Sequence, residues 1–174
     1  MQRTYLMLPL ILLTLFSCKT NKPMINNQTI KELDVERYMG TWYELARFNH
    51  RFEKGLVGVT ATYTLRDNGK INVVNAGYKN TLDGKYSKAR AKAKIPNPAE
   101  PGKLKVYFIP FFGADYYILD IDPDYQWVLV GSSSPNYLWI LSRAPKLPDE
   151  TLQMIVEKAK ARGYHTEALI WVAQ

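Results

Sequence analysis

The 174-residue chain predicts an all-β fold, an eight-stranded antiparallel up-and-down β-barrel followed by a C-terminal α-helix and a final short strand. Three observations predict it. Segments of about five to nine residues with period-2 alternation of apolar and polar side chains recur from Thr41 to Arg143, each bounded by turn residues. One helical period, and only one, follows them. The length and the 47% hydrophobic content suffice for one core and hardly for two.

Taken in order, the chain begins with Arg3 and the apolar run Leu6-Met7-Leu8-Pro9-Leu10-Ile11-Leu12-Leu13, followed by Leu15-Phe16-Ser17-Cys18. The run is short for a bilayer-spanning helix and contains a proline, so residues 1–17 read as an export signal. Ser17 directly before the only cysteine, with Leu15 three residues ahead of it, resembles the bacterial lipobox, where the cysteine is acylated and the preceding peptide removed. The alternative is an ordinary signal peptide with an incidental Cys18. A secreted domain that relies on disulfides carries an even set of cysteines, and acylation would consume this one. Residues 18–32, polar and turn-prone over Lys19 to Gln28, read as a lipidated tether, and residues 33–174 as the folded domain.

Eight strands are expected in that domain. They are Thr41 to Phe48, Val57 to Leu65, Ile71 to Tyr78, Tyr86 to Ile95, Leu104 to Ile109, Tyr116 to Ile121, Trp127 to Gly131 and Tyr137 to Arg143. Asp67-Asn68-Gly69 is a tight hairpin turn, since Asn and Gly tolerate positive φ. Sequential strands joined by hairpins suit an up-and-down barrel. Pro148-Asp149-Glu150 starts the helix and Gly163 stops it. Leu152, Ile155, Val156 and Ala159 fall on one helical face, and Thr166 to Val172 reads as the last strand.

The formal charge of +7 raises nucleic acid as a partner, but the cations are spread along the chain. Their densest run, Lys85 to Lys94, alternates with small residues and reads as the solvated face of a strand, with no nucleic-acid footprint. Anionic phospholipid headgroups remain open partners for such a surface. On the other face of that strand Ala89, Ala91 and Ala93 fill little volume. An eight-stranded barrel either fills with side chains or holds one small ligand, and small inner residues favour the ligand. The alternative is that Tyr63, Phe108, Tyr116 and Trp139 fill the gap.

Gly40-Thr41-Trp42-Tyr43-Glu44-Leu45-Ala46 resembles the Gly-x-Trp-Tyr signature of the lipocalin family. Asp122-Pro123-Asp124-Tyr125-Gln126-Trp127 and Leu138-Trp139-Ile140-Leu141-Ser142-Arg143 stand where that family has its other signatures, the first departing from the usual Thr-Asp-Tyr. With Arg47 to Glu53, Asn136 to Pro145 and the lipobox, the chain is most similar to the outer-membrane lipocalins of bacteria. The resemblance implies that Gly40, Trp42 and Arg143 are structural, Arg143 stacking on Trp42 to plug the closed end. It implies a lining of Phe48, Ala61, Tyr63, Val73, Ala89, Ala91, Val106, Phe108, Tyr116, Ile118 and Trp139, with Glu44 and Ala46 also inward. It further implies a fatty acid or lysophospholipid ligand, acylation of Cys18, and residence on the periplasmic side of the bacterial outer membrane.

Three functions are weighed: a lipid carrier, an enzyme acting on a small lipid, and a structural envelope lipoprotein with a filled barrel. The enzyme has little to support it. His50 and His165 are the only histidines and have no metal spacing, Ser132-Ser133-Ser134 lacks a nucleophile-elbow pattern, and an inward Glu44–Asp120 pair would more readily hydrogen-bond than catalyse. No catalytic residue, cofactor or metal is therefore expected. The oligomeric state stays open, a homodimer included.

Overall fold

The computed structural model describes residues 25–174. The export signal, Cys18 and most of the tether lie outside the described residues. A short helix α1 (Val35–Tyr38) leads into β1 (Gly40–Phe48), β2 (Leu56–Leu65), β3 (Ile71–Lys79), β4 (Tyr86–Lys94), β5 (Lys103–Ile109), β6 (Phe112–Ile121), β7 (Trp127–Gly131) and β8 (Leu138–Ser142). Helix α2 (Asp149–Ala161) and strand β9 (Leu169–Trp171) complete the chain. Strands β1 to β8 each pair antiparallel with their sequence neighbours, and β1 also pairs with β8, so the barrel closes and eight strands leave no free long edge, while β9 pairs with β1 alone. The expected strands are all present, with ends moved by a few residues.

Alternation divides the apolar residues into two packed sets. One fills the barrel interior and includes Trp42, Ala61, Tyr63, Val73, Ala91, Val106, Ile118 and Leu141. The other lies outside, beneath α2, where Leu119, Leu129, Leu138 and Ile140 meet Ile155 and Ala159. Ile155 is wholly buried there, a burial that contributes roughly 1.5–3 kcal/mol. Asp149 and Glu150 sit in the first turn of α2 and Lys158 and Lys160 in the last, matching the helix dipole. Gly163, at φ +88°, ends the helix in a conformation that L side chains rarely adopt.

Strict alternation fails in β1. The β1–β8 register shifts between Glu44 and Ala46, a β-bulge at which Leu45 and Ala46 both face outward. Glu44 remains inside, the next inward residue is Arg47, and Ala46 and Phe48 pack beneath α2 with Tyr164. The expected inward facing of Ala46 and Phe48 is thereby corrected. A second shift, between Ile118 and Asp120, turns Asp120 toward α2, where its carboxylate lies 2.8 Å from Lys158 Nζ, so no inward Glu44–Asp120 pair forms.

The final segment is shorter than expected as a strand. Thr166–Ala168 forms a 3-10 turn, and only Leu169–Trp171 pairs, with the upper part of β1. The β1–β2 ladder stops at Tyr43 and Thr60, and residues 173 and 174 bridge the seam above it. Gly58 N donates to Ala173 O at 2.6 Å, while Gln174 Nε2 donates to Glu44 O at 2.6 Å and Val59 O at 3.0 Å.

Candidate ligand-binding barrel

The barrel is sealed at the end where β1 begins. Gly40 takes φ +94°, and a Cβ there would stand 3.3 Å from Arg143 Nη1. The glycine thus admits the arginine. Arg143 Cζ lies 3.8 Å from the Trp42 ring centroid, and its nitrogens donate to Thr41 O at 3.0 Å and Arg37 O at 2.6 Å. With the guanidinium still partly in water, a cation–π contact of this kind contributes about 1 kcal/mol. Trp42 Nε1 donates to Tyr38 O at 2.9 Å, so α1 is stacked into the floor by the same indole. Sequence reasoning missed α1. Its signal is Asp34, whose side chain caps Arg37 N at 3.0 Å.

Above the floor, three tyrosines form a hydrogen-bonded chain. Tyr38 and Tyr116 hydroxyls lie 2.6 Å apart, and Tyr63 donates to Tyr116 at 2.9 Å. Burial pushes all three phenols above their ordinary range, so they stay neutral. Ala61, Tyr63, Val73, Ala91, Val106, Tyr116 and Ile118 are brought together here, inside the barrel. They form one packed cluster, in which the Tyr63 ring lies 5.4 Å from Tyr38 and 6.1 Å from Tyr116.

The upper part is different. Arg47, almost fully buried, donates to the Glu44 carboxylate at 2.5 Å and to the carbonyls of Glu53 and Leu56 at 2.8 and 3.0 Å. Burial and the neighbouring Glu53 push the Glu44 carboxyl up to about 8, against the opposing pull of Arg47. Glu53 is raised by burial but lowered further by hydrogen bonds from His50 and Trp139, so its carboxyl sits below the ordinary range. Trp139 Nε1 donates to Glu53 Oε2 at 3.1 Å, and His50 Nε2 lies 2.9 Å from the same oxygen. Trp139 thus faces inward with its indole N–H already engaged. Arg47 Nε, His50 Nδ1 and Asn75 Oδ1 are buried with no hydrogen-bond partner among the described residues.

A void of about 90 Å³ opens at this level, lined by Phe52, Glu53, Leu56, Val59, Asn75, Ala76, Ser87, Ala89 and Phe108. Of the expected lining residues, Ala89 and Phe108 border it. Ala89 and Phe108 are also exposed, because they stand at the mouth. Phe52, Glu53 and Leu56, in or next to the β1–β2 loop, were not legible as lining, since a loop has no alternation to read. Exposed Phe52, Phe111 and Phe112 continue the apolar rim. Among the described residues no three His, Cys, Asp or Glu side chains gather as a metal site.

A closed antiparallel barrel with a plugged floor, an apolar inner wall and one open mouth defines a calyx, the architecture of small-ligand barrels. Residues 33–174 match the family described as Lipocalin-like domain. The chain belongs to the lipocalin family. It is 42% identical over 159 residues to outer membrane lipoprotein Blc of Citrobacter freundii, covering 91% of this chain and 89% of that one. It is 43% identical over 148 residues to temperature-induced lipocalin-1 of Arabidopsis thaliana, covering 82% and 80%. Among solved structures, lobster apocrustacyanin A1 superposes with a TM-score of 0.65 at 23% identity, over 81% of this chain and 79% of that one, a likeness of fold.

Proposed function

We propose that the protein is a lipid-binding lipocalin that stores or moves fatty acids or lysophospholipids in the bacterial cell envelope, held at the outer membrane by an acylated Cys18 and facing the periplasm. The observation that carries this reading is the asymmetry of the barrel: sealed below, and above it an open mouth whose rim exposes Phe52, Phe108, Phe111 and Phe112 to water. Exposed aromatics at the entrance of an apolar barrel suit a ligand with a hydrocarbon chain. The relatives named outer membrane lipoproteins support the location. Binding without catalysis accords with the family and with the hydrogen bonds that already occupy the buried acids.

Two measurements test it. Lipids extracted from the purified full chain are expected to contain single-chain species at stoichiometric amounts; repeated absence, with no uptake of added fatty acid, would overturn the carrier. Cys18→Ser is expected to release the protein from the membrane fraction with its thermal melt unchanged. Unaltered membrane retention would remove the acyl anchor.

A further inference from the structure

The β4–β5 ladder runs from Lys94 opposite Lys105 to Lys92 opposite Tyr107 and stops there, although β4 extends back to Tyr86 and β5 on to Ile109. Continued pairing would set Ala91 against Phe108. Instead the two strands part toward the mouth. Beside this opening lies a groove of about 860 Å³ whose lining includes Lys70, Arg90, Lys92, Lys94, Phe108 and Phe111. Register places Arg90 opposite Val74 and Lys92 opposite both Asn72 and Tyr107, on the outward face, while the inward Val73, Ala91 and Ala93 also line the groove, so it leads from the outer wall into the gap between β4 and β5. Phe108 borders both this groove and the 90 Å³ inner void. It is the one side chain common to the two linings.

We propose that this groove holds an anionic single-chain amphiphile, its headgroup among Arg90, Lys92 and Lys94 and its tail lying sideways in the gap between β4 and β5 against Phe108, with only its end reaching the inner void. The inference rests on the carrier reading and adds where the ligand sits and how it enters. Volume supports it, since pockets for small molecules span about 300–1,000 Å³, which the inner void falls short of and the groove meets. Charge supports it independently. Inside, the one guanidinium is already bonded to Glu44 and two carbonyls, and an added anion there would stand beside the Glu53 carboxylate. Outside, none of Lys70, Arg90, Lys92 and Lys94 has an acidic partner within ion-pair distance among the described residues. An anionic headgroup is stabilised on the outer face and opposed within. With the headgroup there, Phe108 stands between the groove and the inner void.

The test uses the full chain, a fluorescent polyene C18 fatty acid and the methyl ester of the same acid. Arg90→Glu with Lys92→Glu is expected to weaken the acid about tenfold or more and to leave the ester within about twofold, and Arg90→Gln with Lys92→Gln to fall between. Phe108→Ala is expected to speed association of both probes in stopped flow. If the parent binds neither probe, the carrier reading itself fails. If the parent binds both and the charge reversal leaves acid affinity unchanged, the outer headgroup site is overturned while the carrier stands. Loss of binding to anionic phospholipid vesicles with unchanged probe affinity overturns it in favour of a membrane contact. An unchanged association rate for Phe108→Ala overturns the sideways entry.

Discussion

The two halves of one barrel solve opposite problems. Around Trp42, rings fill the interior, the tyrosine hydroxyls are paired with one another, and Arg143 spends its donors on backbone carbonyls. Around Glu53, buried polar atoms on Arg47, His50 and Asn75 have no hydrogen-bond partner among the described residues, and aromatic surface meets water at the rim. A buried polar group left unsatisfied costs about 1–3 kcal/mol, a cost that the paired tyrosine hydroxyls of the lower half avoid. The contrast teaches that stability and recognition are separated along the barrel axis, and that the lower half can carry the cost of the upper.

The strongest way to break this comparison is at the floor. Trp42→Ala is expected to destabilise the fold by about 3–5 kcal/mol, because it removes a fully buried ring together with the contacts of Tyr38 and Arg143. Arg143→Ala should cost less, about 1 kcal/mol. A urea melt in which either variant matched the parent would mean that the floor does not carry the fold.

Two alanines on the same face of β4 locate the boundary between the halves. Ala91 is buried opposite Val73 in the filled part, whereas Ala89, opposite Asn75, borders the void. Ala91→Trp is expected to overpack and lose about 1–3 kcal/mol. Ala89→Trp should stay within about 0.5 kcal/mol of the parent yet weaken fatty-acid uptake. Equal melts for the two variants would place the boundary elsewhere.

A separate expected effect is one of pH. The Glu44 carboxyl is raised from the ordinary 4.5 to about 8 in the folded state, so the native protein binds this proton more tightly than the unfolded chain does. Its contribution is complete below 4.5 and is lost as pH rises toward 8, so stability declines across that window. Glu44→Gln should flatten the decline, measured as urea midpoints across the same range. A parent and a variant with parallel profiles would refute the assignment.

The floor was more legible in the sequence than the mouth, for a physical reason. Gly40, Trp42 and Arg143 sit in regular strands or at their ends, where a short motif fixes both position and facing. The mouth depends on a bulge and a loop. Period-2 reading carried Phe48 inward because one extra residue at Leu45 leaves no mark in the pattern of apolar residues, and that same residue brings Arg47 inside. Phe52, Glu53 and Leu56 line the void through loop geometry, which tertiary contacts alone decide. Of the β4 alanines, Ala91 and Ala93 are buried in the barrel while Ala89 is exposed at the mouth, a difference that alternation alone does not carry.

The strap across the β1–β2 seam gives the barrel a timetable. Gln174 reaches back to Val59, 115 residues earlier, and to Glu44, 130 residues earlier. At a synthesis rate of about 5–20 residues per second, residue 174 emerges roughly 6–23 seconds after residue 59. For that interval the upper edges of β1 and β2 have no cover from β9 and the strap, and unpaired edges recruit other strands. The β1–β2 seam is therefore covered only when the last two residues are in place.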